Sequence, residues 1–175
     1  MSSQHHAWET PPAFFRLVEE QFACGGFGID AAASQGNRLC ARYFHEDNSA
    51  LAQPWGACTD TGEPLLVWCN PPYGRLLGKF VQKAWEEAEA NHAETPMLFP
   101  PRSDTTWWHE YVMKAAGIYP VKKRISFLRD GVICKQNTFP SVLVHFLPKS
   151  ERCTTYGPDF RSFCQVCGLH CICKK

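Results

Sequence analysis

The 175-residue chain has no apolar run approaching the roughly 18–20 residues a membrane-spanning helix needs, and no repeated or low-complexity segment. No apolar stretch follows the polar start Met1-Ser2-Ser3-Gln4-His5-His6, so nothing there reads as a secretory leader. Each half is short of one sign of charge. Residues 1–100 hold 6 Lys and Arg against 12 Asp and Glu, a balance of −6. Residues 101–175 hold 12 against 5, a balance of +7, and the two sum to the overall +1. Any polyanionic partner is therefore expected on the second half. A mainly disordered chain is excluded, because 45% of the residues are hydrophobic and only 20% charged.

Cysteine is plentiful: there are ten, but their placement does not suggest a disulfide framework. Cys24, Cys40, Cys58, Cys69 and Cys134 are scattered singly, several among apolar or small neighbours, and are expected to be free thiols in a reducing compartment. The other five lie in the last 23 residues. Cys164, Cys167, Cys171 and Cys173, with Cys153 upstream and His170 between, offer enough thiolates for a structural zinc ion that takes no part in chemistry. Zinc ribbons separate their ligand pairs by about 12–20 residues, however, whereas here three residues intervene. A zinc site and an unmetallated or unstructured tail both stay open.

Helix and strand patterns alternate along the first 148 residues, which are expected to form one domain, with residues 149–175 as a Cys-rich tail. Thr10-Pro11-Pro12 opens a helix through Glu20, with threonine placed to cap it. A second helix spans Leu76 to His92, with Glu86, Glu87 and Glu89 on its wet face, and a third runs from Trp107 to Ala116. Strands are expected at 27–30, 64–69, 96–101, within 118–128 and at 141–147. This order predicts an α/β fold with parallel pairing.

Asn70-Pro71-Pro72-Tyr73 ends the buried 64–69 strand, and ligands of open α/β sheets sit beyond the carboxyl ends of strands. The Asn70 side-chain oxygen and the Pro71 carbonyl are two acceptors suited to both protons of a conjugated amino group. Holding them pulls the nitrogen toward tetrahedral geometry and frees its lone pair to attack a sulfonium methyl. The two prolines keep the acceptors rigid, and Tyr73 gives a flat face for a planar substrate. Trp8-Glu9-Thr10-Pro11 opens a helix N-terminus that favours a carboxylate, and Asp30 precedes the small residues Ala31-Ala32-Ala33, although capping alone would explain an acid there.

Six blocks in order extend this reading. They are Trp8-x-Thr10-Pro11; Ile29-Asp30-Ala31-Ala32-Ala33 with Asn37-Arg38-Leu39-Cys40-Ala41-Arg42-Tyr43; Asp47-Asn48-Ser49-Ala50-Leu51 with Trp55; Trp68-Cys69-Asn70-Pro71-Pro72-Tyr73-Gly74; Leu98-Phe99-Pro100-x-Arg102-x-Asp104-Thr105-x-Trp107-Trp108; and Arg124-Ile125-x-Phe127. On them, from Trp8 to Phe146, the chain resembles the phage-type DNA N6-adenine methyltransferases. The resemblance implies a Rossmann-like, S-adenosylmethionine-dependent fold with a mostly parallel sheet flanked by helices. It implies that Trp8, Thr10, Pro11, Asp30, Ala31 and Asp47 hold the methyl donor, and that Asn70, Pro71, Pro72 and Tyr73 hold the target adenine. The block from Arg102 to Trp108 would lie beside them, with at least one tryptophan packed in the core. Many other methyltransferases carry a Phe-x-Gly-x-Gly loop where this chain has Asp30-Ala31-Ala32-Ala33, a departure it shares with the family.

DNA is the implied partner, with no membrane and no obligate protein partner, in the cytoplasm of a bacterial or phage-infected cell. An adenine inside a duplex must be flipped out before it can reach Tyr73. Arg102 and the cluster Lys122, Lys123 and Arg124 are the expected phosphate contacts. Two rivals remain: a methyltransferase acting on a protein glutamine or an RNA base through the same tetrapeptide, and a non-catalytic nucleic-acid-binding module.

Overall fold

The computed structural model describes residues 8–23, 25–56, 64–134 and 139–152, and the backbone of 163–164. The elements run α1 (Pro12–Phe22), β1 (Ile29–Asp30), β2 (Leu65–Trp68), α2 (Leu77–Glu89), β3 (Ala93–Phe99), α3 (Thr106–Glu110), β4 (Gly117–Lys122), β5 (Leu128–Arg129), β6 (Val132–Ile133), β7 (Val142–Phe146) and β8 (Phe163–Cys164). Six strands form one sheet in the order β1-β2-β3-β7-β4-β8. Only β7 is antiparallel to its neighbours, so the other five strands share one direction.

Side chains alternate across the strands and build two cores. Val67, Met97, Phe99, Val144 and Phe146 pack with Leu77, Phe80, Val81 and Ala84 of α2 and with Trp108 of α3. Trp68, Leu98 and Leu143 face the other way, with Phe14, Phe15 and Val18 of α1. The apolar runs of β2, β3 and β7 thus reflect strands covered on both faces.

Several expectations are corrected. The third helix is short, Thr106–Glu110, followed by a 3-10 turn at Val112–Lys114. The basic strand expected within 118–128 is Gly117–Lys122, and Leu128–Arg129 pairs with Val132–Ile133 as a separate hairpin. Its turn residues Asp130 and Gly131 have φ of 50° and 73°, as a two-residue turn matched to strand twist requires. The sheet is mostly parallel, as expected, with β7 alone reversed between β3 and β4. Thr10 does not cap α1: Pro11 occupies that position and makes no side-chain cap. Glu87 is not on the wet face; it is 5% exposed, paired with Lys83 at 2.5 Å and His92 at 3.2 Å, which compensates its burial.

Cys40 and Cys69 are buried free thiols and Cys134 is a half-buried one, while Cys24 and Cys58 lie outside the described residues. So do Cys153, Cys167, Cys171 and Cys173; of Cys164 only the backbone is described, paired in β8. No group of three or more His, Cys, Asp or Glu among the described residues is placed to hold a metal ion. No helix among them is long and apolar enough to cross a membrane.

Candidate active site

Because β1, β2, β3 and β4 point the same way, the segments that follow them gather at one sheet edge. These are Asp30-Ala31, Asn70 to Tyr73, Pro100 to Trp108 and Lys122 to Arg124. Trp8 to Thr10, just before α1, joins them. Asn70 Nδ2 donates to the Trp8 carbonyl oxygen (2.5 Å) and to Thr10 Oγ1 (3.0 Å). A carbonyl oxygen only accepts, so Trp8 fixes which end of the carboxamide is nitrogen. Oδ1 is thereby turned toward Tyr73, whose hydroxyl donates to it at 2.7 Å. The Tyr73 ring stands edge-on to Phe127 and Phe139, at 6.1 and 5.5 Å. Burial holds its hydroxyl protonated, well above the ordinary tyrosine pKa, so it acts as a donor here.

A second frame steadies Trp8. Glu9 pairs through its backbone with Leu128 in both directions, at 3.0 and 2.9 Å. Its carboxylate accepts from the N–H groups of Asp130 and Gly131 at 3.1 and 3.0 Å. The Arg129 guanidinium lies 5.2 Å from the centre of the Trp8 ring. The hairpin β5–β6 is thus clasped to the residues that aim Asn70.

On one side of Asn70 lies a cavity of about 10 Å³, walled by Trp8, Thr10, Asp30, Ala32, Leu39 and Trp68 among others. Asp30 is 3% exposed, and its carboxylate accepts from the N–H groups of Ala32 and Leu39, each at 3.2 Å. Desolvation pushes its pKa up to about 6, against the partial opposition of those two hydrogen bonds. Burial, with the charges of Asp30 and Glu19, likewise pushes the neighbouring Cys40 thiol up to about 12, so it is inert. Asp30 does not cap a helix; it holds the loop from Ala32 to Leu39 in place.

On the other side lies a cleft of about 580 Å³ between the start of α2 and the segment from Arg102 to Tyr111, with Tyr73 in its wall. Trp108 is buried in the core, while Trp107 is half-buried and lines the cleft. Arg102 and Asp104 both line it without forming an ion pair.

The structure therefore brings Trp8, Thr10, Asp30, Asn70 and Tyr73 together. Pro11 stands at the N-terminal boundary of α1, Pro71 is buried and Pro72 is half-buried. Ala31 is 1% exposed and its N–H is spent on the Trp68 carbonyl; Ala32 faces the cavity instead. Asp47 is outside the cavity, its side chain 95% exposed and 3.6 Å from His45. Lys122, Lys123 and Arg124 are exposed at and just past the end of β4 and line neither cavity. Sequence reasoning missed Glu9, whose partners lie 121 and 122 residues away, and the cations Arg75 and Lys79, which sit in the acidic half of the chain.

These features define an α/β protein whose reactive groups gather at the carboxyl edge of a largely parallel sheet, around one oriented carboxamide. A family model described as DNA N-6-adenine-methyltransferase (Dam) matches residues 1–158. A DNA N-6-adenine-methyltransferase of Escherichia phage T1 is 32% identical over 124 residues, which cover 71% of this chain and 48% of that protein. The chain spans about half the length of this curated relative. It belongs to the DNA N-6-adenine-methyltransferase (Dam) family.

Proposed function

We propose that the chain transfers a methyl group from S-adenosylmethionine to the N6 amino group of adenine in DNA, using a Rossmann-like domain that spans residues 1–148. Five co-directional strands with β7 reversed between β3 and β4 support that fold. The observation that carries the function is the orientation of Asn70, whose Nδ2 is engaged by Trp8 and Thr10 so that Oδ1 is the acceptor, held here by the Tyr73 hydroxyl. Trp8, Thr10 and Asp30, which wall the small cavity beside it, suit the cationic centre of a sulfonium compound, and because about 10 Å³ holds no more than about one water, the walls must part to admit the donor. Its buried Asp30 has no cationic partner among the described residues, and a positive charge there would relieve the desolvation of its carboxylate.

S-adenosylmethionine held between Trp8, Thr10 and Asp30 would supply an electrophilic methyl group. An adenine amino group would take the place of the Tyr73 hydroxyl on Asn70 Oδ1 through one N–H and donate a hydrogen bond from its other N–H to the Pro71 carbonyl. Held by these two acceptors, the nitrogen would have its lone pair freed from the ring conjugation to take the methyl group that the donor supplies, the donor leaving as its thioether and one amino proton passing to solvent. Fixed acceptors need no reorganisation during the step, which is where the rate gain arises. Tyr73, released from Asn70, stacks on the flipped base.

Incubation with labelled methyl donor and unmethylated DNA, followed by nucleoside analysis, tests this reading. Label in N6-methyladenine is the expected result. Label confined to RNA or to protein glutamine overturns it.

A further inference from the structure

The larger cleft is rimmed by three exposed cations, Arg75, Lys79 and Arg102, none of which is paired with a carboxylate among the described residues. Arg75 and Lys79 stand four residues apart where the tetrapeptide loop leads into α2, while Arg102 comes from the loop after β3. The cleft also has an aromatic wall. Trp107 is fixed there by close approach to Gly78: a Cβ at Gly78 would lie 2.7 Å from Trp107 Cδ1. Behind Trp107, Phe99 packs edge-on at 6.1 Å. A half-buried indole locked against a helix is a stacking platform that loses little entropy on binding. Asp104 and Glu110 also line the cleft, so it is not a uniform trap for small anions. Alternating cations and flat apolar surface match a chain in which phosphates and bases alternate.

Continuity with the reactive group selects the ligand. Tyr73 lines this cleft and bonds Asn70, so whatever fills the cleft lies next to whatever reaches Asn70. Resting on the reading of DNA as substrate, we propose that the cleft holds the nucleotide adjoining the flipped adenine in the same strand, its phosphates on Arg75, Lys79 and Arg102 and its base against Trp107. The principal phosphate site is then this cleft, and the Lys122-Lys123-Arg124 cluster plays the lesser part.

The test compares the wild-type protein, the triple variant R75Q/K79Q/R102Q, the triple variant K122Q/K123Q/R124Q and Trp107→Phe, each binding a DNA duplex over a salt series. A nucleotide within a strand is flanked by two phosphates, so losing their contacts lowers the slope of log K against log salt by about 1.8 units, at ~0.9 per phosphate. The cleft variant is expected to lose that much, and the Lys122 cluster variant less. Trp107→Phe is expected to lose most of the tryptophan quenching seen when wild type binds DNA. Unchanged melting temperature and unchanged S-adenosylmethionine binding show that each variant remains folded. A cleft variant with the wild-type slope, or wild-type quenching in Trp107→Phe, overturns the assignment while DNA remains the substrate. Failure of the wild-type protein to bind or methylate DNA overturns both.

Discussion

On one side of Asn70 the chain closes a cavity of about 10 Å³ with polar groups that largely satisfy one another; on the other it leaves a cleft of about 580 Å³ edged by cations without carboxylate partners. The first is built from segments far apart in the sequence, the second from the ends of two neighbouring elements, α2 and α3. The contrast follows from what each side must do. Orienting one amide requires hydrogen bonds that are already made before a ligand arrives, whereas meeting a polyanion requires charges held in reserve.

Replacing Asn70 strikes the point where the two sides join, and has the largest expected effect. Asn70→Ala should lower kcat by about 100- to 1,000-fold, the scale of losing one preorganised polar group at a reacting centre, in the labelled-methyl assay. Full activity of this variant would defeat the mechanism.

Next comes the pH response of the closed side. Asp30 has its folded pKa raised to about 6 from 3.8, so its ionised form costs stability. That cost is absent below the unfolded value, grows as pH rises between 3.8 and 6, and is complete above. Over that window it amounts to about 3 kcal/mol, at ~1.4 kcal/mol per pKa unit. Denaturant titrations at pH 7 and pH 4.5 should show Asp30→Asn removing this component of the pH dependence. Binding of the cationic donor should run the opposite way, weakening as pH falls through about 6; a flat binding profile would show that Asp30 does not face it.

Thr10→Val leaves Asn70 Nδ2 with one acceptor instead of two. At about 1 kcal/mol for a neutral hydrogen bond, kcat should fall by roughly five- to tenfold with KM for DNA little changed. Thr10→Ser should restore the rate; no change in Thr10→Val would remove Thr10 as a positioning residue. The smallest effect belongs to Glu9→Gln, which weakens two exposed carboxylate contacts to the hairpin. It should cost under about 1 kcal/mol of stability, read as a small fall in melting temperature.

Much of this plan is legible in the chain, for reasons that differ by residue. The strands β2, β3 and β7 announce themselves because both their faces are covered, and Asn70 to Tyr73 because two prolines at a strand end have few structural uses. The reversed direction of β7 is not legible, since it depends on pairing with β3 and β4, strands far from it in the chain. Lys79 and Gln82 on one stripe of α2, with Arg75 in the turn before it, look like an ordinary solvated face; only the approach of the segment after β3 turns that face into a wall. Thr10 misleads for a similar reason. Its place before Pro11-Pro12 fits a cap, yet its hydroxyl is taken by an amide 60 residues away.

Such separations bear on how the protein is made. The hydrogen bonds that aim Asn70 span 60 and 62 residues, and the clasp that steadies Trp8 spans 121 and 122. Contacts of this range form only after the intervening chain has paid its loop-closure entropy, later than helices, which close locally. In a refolding reaction, helical signal should therefore return ahead of methyl transfer. A nascent chain cannot aim Asn70 fully until Asp130 and Gly131 have been synthesised and folded back onto Glu9.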